Sequence, residues 1–255
     1  AWTQRGSLLR EQGRLAEAAH SFRQALAHGG DAELNGWFLA AVEGRVAAAP
    51  PRYVQALFDG YADDFEHHLV DTLGYRVPQD LVALLDNDAP ALAPGALGEA
   101  LDLGCGTGLV ARALGARVQA IDGVDLSPRM VAAARASGLY RRVDEAEVAA
   151  WLQSAAPARY DLVLAADVFI YVADLAPVFA GVRRVLRPGG RLAFSVEVAQ
   201  AEDGVELGAQ LRYRHGAAYL QALAAAHGFG VRAQAGVVLR QEQGRPIAGR
   251  LWLMA

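Results

Sequence analysis

The chain has 255 residues, 53% of them hydrophobic and 20% charged, so it can bury a core of one large domain or of a domain plus a small appendage, and global disorder is excluded. Its formal net charge of −4 argues against a surface built to neutralise phosphate backbones, so no nucleic-acid partner is expected, and no run of about 18 apolar residues offers a membrane span. The single cysteine, Cys105, cannot form an internal disulfide, and no secretory leader opens the chain, so a cytoplasmic, reducing setting is expected.

Trp2, Gly6, Leu9, Ala18, Phe22 and Ala25 fall at the spacing of a two-helix hairpin with Gly13 at its turn. Small residues at Gly6 and Ala18 let the helices approach, and Phe22 fills the gap between them. The pattern resembles one tetratricopeptide repeat, from which it departs at Arg5 and Gly30. Residues 34–46 read as a following helix. One such unit cannot bury its faces alone, so either repeats precede Ala1 or the hairpin docks on the rest of the chain, leaving a protein partner open. The small-residue and proline stretch 47–51 reads as a boundary, dividing a helical segment 1–47 from a domain 52–255 whose first part, 52–98, is a helical cap.

Within the cap, Tyr53, Phe58, Tyr61 and Phe65 recur at helical spacing, as a buried stripe would. A short helix over 77–85 and a proline- and glycine-rich loop over 86–98 lead to the first strand, 99–103. There Leu101-Asp102-Leu103-Gly104-Cys105-Gly106-Thr107-Gly108 runs from strand into glycine loop, and a helix over 109–114 follows. Glycine takes positive φ and lets a ligand lie against the backbone. The second strand, 118–125, ends in Asp125, placed to accept ribose hydroxyls. The dinucleotide fingerprint would need glycine where Leu109 stands, so the spacing is GxGxG. Cys105 reads as a small packing residue, since no base near it in sequence would activate it.

Strands and helices then alternate, which implies parallel strands joined by crossover helices. Ser127 caps a helix with Pro128 at its first position; strands are expected over 143–148, 160–166 and 191–196, with a helix over 174–186 between the last two. A helix over 216–227 and a hairpin of 231–240 with 247–254 close the chain. The fold class is therefore α/β, a Rossmann-like seven-stranded sheet, mostly parallel with the last strand antiparallel, behind an N-terminal helical segment.

The glycine loop, Gly123-Val124-Asp125-Leu126-Ser127-Pro128, the Tyr160-Asp161-Leu162-Val163 run and Val185-Leu186-Arg187-Pro188-Gly189-Gly190 together resemble the class I S-adenosylmethionine-dependent methyltransferases, over about residues 99–198. Phe58 to Leu69 and Tyr213-Arg214-His215 resemble, more narrowly, a bacterial group that joins a tetratricopeptide repeat to such a domain. The resemblance implies S-adenosylmethionine as cofactor and S-adenosylhomocysteine as product; the aromatic sequence of the cap favours a small or partly apolar acceptor, with a protein acceptor delivered by the helical hairpin as the alternative. The resemblance puts Leu103, Gly104, Cys105, Gly106 and Gly108 around the methionine part, Asp125 on the ribose, Leu126 and Met130 on the adenine, and Val148 and Ala166 at neighbouring strand ends. An acid after the third strand meets the adenine amino group; strand alternation leaves Glu145 and Glu147 on one face, and Glu147 is preferred. Tyr61 and Phe65 are expected to close over the methionine end. Methyl transfer from a sulfonium is an in-line displacement that needs a base only for some nucleophiles. His67, His68, Asp167, Tyr171 and His215 are candidates, with His68 and His215 preferred for their aromatic neighbours. No metal is implied. The competing expectation is a cofactor-binding scaffold without turnover.

Overall fold

Alternate residues along the central strands face two different cores, which makes the middle layer of the protein a sheet covered on both sides. In this computed structural model, residues 1–61, 66–89, 93–242 and 244–255 are described, the side chains of 61, 67 and 71 aside. Helices α1 (Trp2–Glu11), α2 (Leu15–Ala27) and α3 (Ala32–Val42) come first, then α4 (Pro51–Tyr61), a wide π-type turn over His67–Thr72, and α5 (Val77–Asp88). The sheet domain follows as β1 (Glu99–Leu103), α6 (Leu109–Leu114), β2 (Ala120–Asp125), α7 (Pro128–Ala136), β3 (Arg142–Glu145), α8 (Val148–Ser154) and β4 (Tyr160–Ala165). It continues through α9 (Ala176–Val185), β5 (Leu186–Val198), β6 (Val205–Leu207), β7 (Tyr213–His215), α10 (Ala217–Ala226), β8 (Val231–Glu242) and β9 (Arg245–Met254).

Strands run in the order β3-β2-β1-β4-β5, all parallel; β9 pairs antiparallel with β5 on one side and with β8 on the other. These seven strands correspond to those expected. The described sheet has nine, because β6 and β7 form a short antiparallel hairpin that joins the outer end of β5 through Glu197 and Val198. Leu101, Leu103, Val163, Phe194, Val196, Trp252 and Met254 point to one face, under α8, α9 and α10. Ala100, Leu162, Leu164, Ala193, Leu251 and Leu253 point to the other, under α5 and α6.

The third strand is shorter than the expected 143–148. After Glu145 the chain leaves the sheet, because the Glu147 carboxylate accepts hydrogen bonds from the amides of Ala149 (3.0 Å) and Ala150 (2.7 Å) and so heads the unexpected helix α8. Helix α3 likewise starts and stops earlier than 34–46, since Asp31 caps it at the Leu34 amide.

Helices α1 to α3 do not stand apart. Leu9, Ala18, Phe22, Trp37, Phe38 and Ala41 share one apolar cluster with Leu207, Leu211 and Tyr213 of the β6–β7 hairpin. Phe22 is fully buried against Gly6, where an added Cβ would lie 2.5 Å from the ring. The Arg10 guanidinium donates to Ala209 O at 2.8 Å. Truncating Phe22 to alanine removes a buried aromatic with no room to collapse, and we expect a loss of about 3–5 kcal/mol in urea unfolding; a parental midpoint would show that this cluster contributes little.

Candidate active site

The chain turns back across the sheet between β1 and β4, the switch point at which open parallel sheets hold ligands outside their carboxyl ends. A cavity of about 830 Å³ lies there, towards the upper end of the roughly 300–1,000 Å³ of ligand pockets. Its floor is the glycine loop. Gly104 has φ +64° and faces Val168 so closely that a Cβ would sit 2.4 Å from that side chain, so the ends of β1 and β4 can meet only over a glycine. Gly108, at φ +103°, makes the turn into α6.

Asp125 ends β2 beside this loop. Its carboxylate accepts from the Gly106 amide (2.8 Å) through Oδ2 and from the Ser127 amide (2.9 Å) through Oδ1. Burial pushes its pKa up, and those amides push it back. The Ser127 hydroxyl in turn accepts from the Met130 amide (3.1 Å) and donates to Asp59 at 2.6 Å, which fastens α4 over the loop.

Of the residues singled out from sequence, the cavity wall brings together His68, Gly104, Cys105, Gly106, Asp125, Leu126, Glu147, Val148 and Ala166. It does not include Leu103, which lies in the core beneath α8 and α9, nor Met130, which is buried under α7, nor Gly108. Glu147 reaches the wall as a helix cap rather than from a strand. Tyr61's side chain and Phe65 lie outside the described residues, as does the His67 side chain. His215 is not brought to the cavity. It is buried in β7, its Nε2 3.1 Å from Val172 O and its ring stacked on Tyr219; burial lowers its pKa to about 4, so it is a neutral donor in the core and not a base in the site.

The polar end of the cavity was not anticipated as a unit. Asp167, just past β4, is held at φ +57°, a conformation side-chain-bearing residues rarely adopt, and it contacts Ser195 through its amide (2.8 Å) and its carboxylate (3.0 Å). Arg240 of β8 is 5% exposed and pairs with Asp167 (2.8 Å), Glu242 (2.6 Å) and Glu197. Arg212 pairs with Glu197 (2.8 Å) and Glu242 (2.5 Å). Tyr171, its hydroxyl pushed up to about 12 by burial, stands edge-on to Phe58 with ring centres 5.2 Å apart. Asp167 and Tyr171, both base candidates in the sequence, line the cavity, whereas nothing in the sequence singles out Arg240 or Glu242.

Beneath the loop lies a second buried acid. Asp102 Oδ2 accepts from the Tyr140 hydroxyl at 2.7 Å, while Oδ1 is buried without a partner among the described residues. Burial raises its carboxyl to about 7, and also pushes the Cys105 thiol up, in keeping with a packing role for that sulfur. Among the described residues there is no cluster of His, Cys, Asp and Glu suited to a metal, and no helix long and apolar enough to cross a membrane.

The sheet is open and mostly parallel, with a glycine loop and a strand-end acid at its switch point. The chain is similar in fold to magnesium protoporphyrin IX methyltransferase of Synechocystis PCC 6803, solved with bound S-adenosylmethionine: TM-score 0.58 and 17% identity over 82% of this chain and 99% of that one. Residues 101–194 match the family model described as a methyltransferase domain. Sequence relatives include the biotin biosynthesis bifunctional protein BioCD of Bordetella avium, 36% identical over 57% of this chain and 30% of that protein. Another is the ubiquinone biosynthesis O-methyltransferase of Leptothrix cholodnii, 34% identical over 35% of this chain and 40% of that enzyme. The chain thus spans less than half the length of these relatives. Together the matches show a methyltransferase domain over residues 101–194 with S-adenosylmethionine as its cofactor.

The raised Asp102 carboxyl has a consequence for stability. Its folded pKa lies above the unfolded value, so the fold binds a proton between about pH 4 and 7, and stability is greatest on the acid side and falls as pH rises through that window. Asp102→Asn, which still offers Tyr140 an acceptor, should flatten a slope of about 1 kcal/mol per pH unit in urea unfolding; equal slopes would show that Asp102 does not titrate there.

Proposed function

We propose that the chain is an S-adenosylmethionine-dependent methyltransferase that acts on a small molecule. The observation that carries this reading is the meeting, at one end of the 830 Å³ cavity, of the glycine loop with the Asp125 carboxylate, inside the segment that matches the methyltransferase family. The donor set fits the cofactor. Gly104 to Gly106 offer bare backbone to its amino-acid end, Asp125 keeps carboxylate lone pairs for the ribose hydroxyls beyond its two amide bonds, and Leu126 and Val148 offer apolar surface to the base. Glu147 lines the same cavity and is the residue we assign to the adenine edge, although its oxygens also cap α8.

When bound, the sulfonium supplies an electrophilic methyl group. The remaining work is positioning. Phe58 and Leu57 of α4 close the cavity from above and reduce water in it, and Tyr171 with Phe58 flanks the path of approach. His68 lines the same cavity and is the residue we assign to take a proton from an acceptor hydroxyl; His215 has no such part. BioCD and the ubiquinone enzymes take their names from the biosynthesis of small molecules, and a concave cavity of about 830 Å³ suits a substrate of that kind better than a protein surface. The likeness of α1 and α2 to a tetratricopeptide unit belongs to this reading as a structural element of the enzyme.

Calorimetry with S-adenosylhomocysteine tests the pocket. Asp125→Ala removes two charge-assisted contacts to the ribose and should weaken binding by at least tenfold, with far-ultraviolet dichroism unchanged. Parental affinity in that variant, or no binding by the parent, would overturn the assignment.

A further inference from the structure

The cavity extends past the glycine loop to a wall that the sheet domain does not supply. Ala48, Ala49 and Pro51 line it, and they belong to the irregular stretch that joins α3 to α4. The alanines of this stretch, ahead of Pro50 and Pro51, form no helix or strand and hold one position only if something pins them. Here Tyr213 does so: its hydroxyl donates to Ala47 O and accepts from the Trp37 indole N–H at 3.0 Å. Trp37 and Tyr213 are both buried, and Tyr53, at the head of α4, packs against the Trp37 ring with centres 4.8 Å apart. One side chain of the β6–β7 hairpin therefore ties the N-terminal helices and the linker to the sheet.

The residue before Tyr213 forms the opposite side. Arg212 spends Nε on Glu197 and Nη2 on Glu242, and its Nη1 has no partner among the described residues while the side chain lines the cavity. Arg212 and Arg240 face three carboxylates, Asp167, Glu197 and Glu242. Two guanidiniums against three carboxylates leave this end net negative, so an anionic ligand meets no positive field there. What remains is one N–H donor beside an apolar surface.

Building on the methyltransferase reading, we propose that the linker at 48–51 is a fixed wall of the acceptor site, held in place by Tyr213, and that the acceptor is a small molecule without negative charge, with an apolar body and one hydrogen-bond-accepting end seated on Arg212. On this view Tyr213 is a positioning residue. It touches neither cofactor nor acceptor and acts through the linker.

The neutral naphthyl ketone Prodan, whose fluorescence reports an apolar setting, and the anionic anilinonaphthalene sulfonate serve as probes, titrated into the full chain with and without saturating S-adenosylhomocysteine. The parent should bind Prodan at least tenfold more tightly than the sulfonate. Tyr213→Phe should weaken Prodan at least fivefold while its affinity for S-adenosylhomocysteine stays within twofold of the parent. Ala49→Trp, placed on the wall itself, should abolish Prodan binding with the same cofactor affinity, and it keeps the test decisive if Tyr213→Phe folds poorly. Prodan affinity unchanged in either variant would overturn the wall, and equal affinity for the two probes would overturn the exclusion of anionic acceptors. A parent that binds Prodan as expected but no S-adenosylhomocysteine would instead overturn the methyltransferase reading.

Discussion

The Asp125 carboxylate joins two loops that the sheet brings to its carboxyl edge. One oxygen holds the Gly106 amide of the loop after β1, and the other holds the Ser127 amide at the head of α7. With both held, the glycine loop keeps its positive-φ path and Ser127 is aimed at Asp59, which seats α4 above the cavity. The carboxylate is buried, and a buried charge with fewer partners would be costly. The same bonds that satisfy it therefore give the cavity its floor and part of its roof.

A second constraint sits across the cavity. Arg240 reaches from β8 to Asp167 after β4 and Glu197 on β5, so three strands far apart in sequence end in one ion-pair network. Breaking such a network by removing one partner strands a charge, which makes the polar end of the cavity rigid as well as polar. Asp167 holds its rare backbone conformation inside this frame, supported by Ser195 from the neighbouring strand. The two ends of the cavity differ accordingly: bare glycine backbone with one acid on one side, an ion-pair network beside an uncharged wall on the other.

The β6–β7 hairpin accounts for much of what separates this molecule from a bare sheet domain. It fills the apolar face of α1 to α3, which a lone helical unit could not bury by itself, and it contributes Arg212 to the cavity. Its strands are three residues each, Val205–Leu207 and Tyr213–His215, with polar residues at the centre, too short for an alternating pattern to be read. Helix α8 escaped notice for a related reason: its cap is a glutamate, which is not among the usual N-cap residues, and the preceding apolar positions read as a continuing strand.

Read alone, the sequence determines the number and chain positions of the seven principal strands, the glycine loop, the acid that ends β2 and the antiparallel closing strand, because each is a local pattern of burial or backbone freedom. It also places Asp125, Leu126, Glu147 and Ala166 near the carboxyl edge, since strand ends can be counted off. Tertiary structure alone decides that Met130 and His215 turn into the core, that Arg240 and Arg212 meet Asp167 and Glu242 at the cavity, and that the linker at 48–51 becomes one of its walls. Those outcomes depend on which long-range partner desolvates or satisfies each group, and the spacing of residues along a chain carries no record of that partner.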